Sequence, residues 1–138
     1  MAVTSTAQAL PVGRAGAFLA SSVGKKVVMA VTGAVLFGFV IAHMIGNLQL
    51  YLGPEAMNAY AAFLREILHG AGLWIARGVL LVSVSLHVWA ATALTLTNRA
   101  ARPVGYRAWT ARDSTYASRT MRWSGVLLLA FVGYHLLH

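Results

Sequence analysis

The residues of this chain best suited to hold a cofactor are its five histidines. His43, His87 and His135 each stand inside a long apolar stretch, while His69 and His138 stand at the edges of such stretches. An imidazole carried into lipid on an apolar helix seldom persists without a partner in the bundle or in a cofactor. Imidazole nitrogens from facing helices suit the two axial positions of a haem iron. Bis-histidine ligation leaves no open position for oxygen, so it fits electron transfer better than chemistry on a substrate. Proton relay and structural hydrogen bonding to helix carbonyls are the competing uses of the same residues. The chain has no cysteine, which excludes disulfides, a thiolate-held iron–sulfur cluster and a covalent c-type haem.

The elements that must position these histidines are membrane spans. Lys25 and Lys26 are followed by an uncharged run from Val27 to Ala42 that ends in His43. From Val27 to Gly46 a helix covers about 20 residues and roughly 30 Å, the thickness of a hydrocarbon core. Of the 138 residues, 59% are hydrophobic and only 10% charged, with a mean hydropathy of +0.69, too few charges to coat a soluble domain of this size. The formal charge of +8 and the pI near 10.9 do not indicate nucleic acid. The basic residues collect in the gaps between apolar spans, and no soluble body carries a basic face.

The pattern predicts an all-α transmembrane helical bundle. Residues 1–24 read as a cytoplasmic N-terminal tail with a candidate surface helix from Ala15 to Val23, and 25–138 as the membrane domain. The apolar run is too long for a signal peptide and lacks a convincing cleavage pattern, so the first span is expected to be retained. The spans are expected at about 27–47, 67–97 and 123–138. An irregular segment, 48–66, separates the first two, with a turn at Gly53-Pro54 and a short interfacial helix from Glu55 to Glu66. A basic linker, 98–122, separates the last two and carries six arginines against Asp113. Positive residues therefore flank one end of the spans, placing the N-terminus and 98–122 in the cytoplasm and 48–66 outside. The linker arginines also suit anionic lipid or a docked cytoplasmic protein. The third span reaches only about 24 Å from Trp123, which predicts further sequence beyond His138.

Several neighbours bear on the histidines. Arg77, at the external edge of the second span, suits a haem propionate, or snorkels outward from a helix end. Ser83, one turn before His87, could orient the imidazole or bond a backbone carbonyl. Gly33, Ala34, Gly38 and Gly78 admit either a flat macrocycle or ordinary close helix packing. His69 suits a propionate, a quinone or simply the interface. Counting helical rise from the nearest basic residue sets His43 about 25 Å from Lys26, His87 about 18 Å from Arg99 and His135 nearly 20 Å from Arg122. That arithmetic pairs His87 with His135.

The text SVGKKVVMAVTGAVLFGFVIAHMIGN from Ser22 to Asn47, with Leu48, Gly53 and Asn58-Ala59-Tyr60 after it, resembles the start of the cytochrome b subunit of succinate dehydrogenase or fumarate reductase, of the long type with five helices and two b haems. SLHVW at Ser85 to Trp89 and GYHLLH at Gly133 to His138 resemble the next two ligand segments of that family. The resemblance covers roughly residues 21 to 138. It implies a multi-pass anchor in the inner (cytoplasmic) membrane of a prokaryote, serving the respiratory chain and the tricarboxylic acid cycle. A flavoprotein subunit and an iron–sulfur subunit would dock on its cytoplasmic side, and electrons would pass between them and a membrane quinone, expected to be menaquinone. The anchor itself would not act on succinate or fumarate.

The resemblance further implies that His43, His87 and His135 are three of four axial haem ligands. His43 and His135 would share the haem farther from the iron–sulfur subunit. His87 would hold the nearer one with a histidine on a later helix. This contradicts the depth arithmetic, and the family pairing is preferred because modest tilt or extra helix before Trp123 removes the discrepancy. Glu66 and Glu55 are candidates for the acid at the family's external quinone site, where a carboxylate would take up protons released by quinol oxidation. Two alternatives remain: a shorter anchor type sharing one haem between two small subunits, and a haem-free structural or transport subunit whose histidines pack or relay protons.

Overall fold

The computed structural model describes residues 13–105 and 114–137, and among them all regular structure is helical. The chain divides into two units at Pro103. The tail 1–12, Arg107, Arg112 and Asp113 of the linker, and His138 lie outside the described residues.

In the first unit, α1 (Arg14–Ala20) is a single short helix that breaks at Ser21. Ser21 is extended, with φ −72° and ψ 154°, and its hydroxyl accepts from the Gly24 backbone N–H at 3.0 Å while donating to the Phe18 carbonyl at 2.6 Å. This serine cap starts α2 (Ser22–Asn47), so the first long helix opens before the lysine pair. A 3-10 turn, Leu48–Leu52, follows, and Gly53 then adopts φ +97°, which favours glycine. Pro54 opens α3 (Pro54–Glu66), where its missing N–H costs nothing. A second 3-10 turn, Ile67–Gly70, contains the left-handed residues Leu68, His69 and Gly70. It redirects the chain into α4 (Ala71–Ala100), so the second long helix starts four residues later than the apolar pattern suggests.

In the second unit, α5 (Tyr116–Leu137) begins seven residues before Trp123. Thr115 caps it: its hydroxyl accepts from Ser118 N–H at 3.2 Å, and its carbonyl from Arg119 N–H at 3.2 Å. The stretch read as the end of a linker is thus the first two turns of a 22-residue helix, which reaches about 33 Å rather than 24 Å. Three helical stretches, within Ser22–Leu52, Pro54–Ala100 and Tyr116–Leu137, are long and apolar enough to cross a membrane. Large apolar side chains such as Phe37, Val40, Leu81 and Leu127 stand exposed along them, the arrangement of a multi-pass membrane protein rather than a water-facing one.

The packed seam of the first unit lies between α2 and α4. Its buried residues are small: Thr32 on α2, Ser83 and Ala90 on α4, with Leu94 closing the end. Small residues let backbones approach, the usual basis of helix association in lipid. Thr32 meets His87, which fixes the register. Thr32 lies 15 residues before the end of α2 and His87 16 residues after the start of α4, so the two arms match. The helices therefore form an antiparallel hairpin. A parallel pair would require the connection to climb back roughly 46 Å, more than the roughly 38 Å that α3 and its flanking 3-10 turns would supply even if aligned end to end.

Candidate functional site

His87 is half-buried at the centre of the α2–α4 seam. Its Nδ1 lies 3.0 Å from the Thr32 hydroxyl oxygen. The ring also lies against Gly33, where a Cβ would stand 3.3 Å from His87 Cε1 and 3.7 Å from Nδ1. The absence of a side chain at Gly33 is what lets the imidazole edge approach α2. Ser83 is buried, 6% exposed, one turn earlier on α4. The ring's hydrogen-bond partner is Thr32 on the neighbouring helix. Thr32 was not among the residues singled out from the sequence, although it is the one hydroxyl between Val27 and His43.

His43 lies eleven residues beyond Thr32 on α2, about 16 Å along the axis. The structure therefore does not bring His43 and His87 together, since one iron requires both imidazoles within a few ångströms of it. His43 is exposed in this unit and stacks on Phe39 one turn before it, with centroids 5.2 Å apart and planes 19° from parallel. His135 on α5 has the same local arrangement with Phe131, at 5.7 Å and 13°. The texts FVIAH and FVGYH announce this shared spacing, which places a phenyl under each imidazole by the i, i+4 rule.

The register also corrects the depth arithmetic. That count treated Lys26 and Arg99 as markers of one level. His87 is level with Thr32, only six residues or roughly 9 Å beyond Lys26, and α4 runs on past that level toward Arg99. His87 is thus near the middle of the hairpin, on its basic side, and His43 near the opposite end. Along the hairpin His43 and His87 are therefore about 16 Å apart, rather than the roughly 7 Å that counts of about 25 and 18 Å from one level imply.

Arg77 lies ten residues before His87, about 15 Å toward the far end, and so stands at nearly the level of His43. Its guanidinium sits over the Trp74 ring, 5.0 Å from the centroid, a cation–π contact. At the same end Tyr60 of α3 seats on the buried Gly46, one turn after His43. The α3 segment carries Glu55 in its first turn and Glu66 as its last residue, both exposed. His69 is an exposed left-handed residue in the turn before α4, outside the apolar spans.

No group of three or more His, Asp or Glu side chains converges on a metal-sized site among the described residues. Haem needs no such cluster, because the porphyrin supplies the equatorial nitrogens and the protein supplies one imidazole per face. His87 could supply one such imidazole, with its Nδ1 engaged by Thr32 and its Nε2 outside that hydrogen bond. Comparison with protein families, curated proteins and solved structures gave no match.

Proposed function

We propose that this chain is a haem b-bearing membrane anchor that passes electrons between cytoplasmic flavoprotein and iron–sulfur subunits of a succinate:quinone oxidoreductase and a membrane quinone, with menaquinone the expected partner. The observation that carries this reading is the α2–α4 register. It sets two intramembrane histidines about 16 Å apart along one hairpin, one near its middle and one near the end that carries α3, a separation that suits two electron-carrying groups.

Arg14, Lys25, Lys26, Arg99 and Arg102 gather at the His87 end, whereas the connection at the His43 end carries Arg65 with Glu55 and Glu66. By the positive-inside rule the His87 end is cytoplasmic and so is the N-terminus. On this reading His87 ligates the haem nearer the iron–sulfur subunit, together with a histidine on a further helix of a five-helix anchor. His43 and His135 ligate the farther haem. Bound haem would supply a one-electron carrier at each of these two levels.

The chain's own residues do the rest. Phe39 and Phe131 hold the imidazoles of His43 and His135 by stacking. Arg77, level with His43, offers a guanidinium to a propionate of the farther haem. Tyr60 on Gly46 holds α3 against the external end, so that Glu66 or Glu55 can take up the protons released when quinol is oxidised there.

The test is a pair of reduced-minus-oxidised spectra on the purified membrane complex. His43→Ala and His87→Ala are expected to remove different haems, leaving spectra that sum to the wild type. If both variants lose the same haem, one site is shared and the reading fails. Absence of haem from the wild type would return the histidines to packing or proton relay.

A further inference from the structure

A single hydroxyl proton decides how His87 presents itself. Thr32 Oγ1 lies 2.7 Å from the Val28 carbonyl and 3.3 Å from that of Met29, both acceptors that cannot donate. The hydroxyl proton is therefore committed to its own helix, as is usual for threonine in an apolar helix. Toward His87 Nδ1, 3.0 Å away, the oxygen can only accept. Nδ1 must then carry the ring proton, and in the neutral imidazole Nε2 is left with the lone pair. The opposite assignment would make Thr32 donate to Nδ1 and give up its carbonyl partners. It would also put the proton on Nε2, where it blocks ligation.

Two features make this arrangement strict. Thr32 is 6% exposed, so water has little access to replace either partner. Gly33 gives the ring its seat: a Cβ there would lie at 3.3 Å from Cε1, tight enough to push the ring aside by a few tenths of an ångström. Position 32 thus sets the tautomer and position 33 sets the distance.

We infer that Thr32 is a positioning residue for His87, fixing the Nδ1–H tautomer and the ring orientation so that Nε2 is offered to the haem iron nearer the basic end. The inference rests on the haem reading above for the identity of the metal. The Nδ1–H to Thr32 hydrogen bond also makes the imidazole a stronger electron donor, which favours the oxidised iron.

The experiment compares Thr32→Val, which keeps the shape and removes the acceptor, with Thr32→Ser, which restores it, in the complete complex. Haem retention and the midpoint potential of each haem are measured, together with imidazole nitrogen shifts of the 15N-histidine-labelled protein in lipid nanodiscs. In the wild type His87 is expected to carry its proton on Nδ1 and none on Nε2. Thr32→Val is expected to weaken retention of the haem on His87 by about 10–100-fold and raise the potential of the fraction that remains, without moving the other haem. Thr32→Ser is expected to return both values toward wild type.

A proton on Nε2 in the wild type would overturn the inference. So would a Thr32→Val variant with unchanged retention and unchanged potential. Should the wild type bind no haem, the functional reading falls, and the nitrogen shifts alone judge the role of Thr32. Loss of the Nδ1–H preference in Thr32→Val supports it, and an unchanged preference overturns it.

Discussion

Substituting Gly46 by alanine probes the joint that holds the external segment to the long helices. A Cβ on Gly46 would stand 2.5 Å from Tyr60 Oη, 2.8 Å from Cε1 and 2.9 Å from Cζ, against 3.4–4 Å for ordinary contact. Tyr60 must therefore retreat by roughly 0.5–0.9 Å, a strain of the size that costs about 1–3 kcal/mol in a packed site. Alanine in the helix offsets about 1 kcal/mol of that by its better helix propensity. The net expectation for Gly46→Ala is a loss of up to about 2 kcal/mol. In a Tyr60→Ala background the clash is gone, and the same substitution should stabilise by up to about 1 kcal/mol. Reversible unfolding in mixed micelles, followed by circular dichroism for the wild type, both single variants and the double variant, gives the coupling energy directly. A coupling of about 1–3 kcal/mol is expected. A value below about 0.5 kcal/mol, the range of independent sites, would refute the seating of Tyr60 on Gly46.

Other outcomes are expected from the proposed function and from the packing around single residues. His135→Ala should remove the same haem as His43→Ala and leave the haem on His87, read from difference spectra; loss of the His87 haem instead would restore the pairing by depth. Arg77→Gln should lower the midpoint potential of the His43 haem, because a positive charge at that level favours the reduced form, and should leave the other haem unmoved in a redox titration. At the basic end, a Cβ on Gly24 would collide with the Phe18 backbone carbonyl, an obstacle with no flexible escape. Gly24→Ala should therefore displace α1 from α2 while the hairpin persists, seen as faster proteolysis near Arg14 with unchanged haem content.

The helical membrane class was legible because it depends on quantities a sequence displays directly: apolar runs long enough to span lipid, and charges confined to their ends. Register between helices was not. The spacing of Lys26, His43, His87 and Arg99 along the chain says how far each lies along its own helix, but not how α2 and α4 slide past one another. The contacts of His87 with Thr32 and Gly33 supply that offset, and they move the level of His87 by about half its assumed depth. The start of α5 was obscured for a different reason. Arg119 and Arg122 made its first turns resemble a linker, although Thr115 followed by Ser118 is a readable hydroxyl cap. Gly70 is the plainest sign of the turn before α4, whereas Leu68 adopts left-handed backbone that its residue type does not signal. Thr32 was overlooked because its importance comes from a partner 55 positions away.

The most direct test of the two-site account is the quantity of haem b per copy of this chain in the intact membrane complex, from the pyridine haemochrome and the reduced-minus-oxidised spectrum together. Two haems per copy, with separable midpoint potentials, are expected from histidines set about 16 Å apart along one hairpin. One haem per copy would contradict the two-site account and favour an anchor that shares a single haem. None would remove electron transfer through this chain altogether.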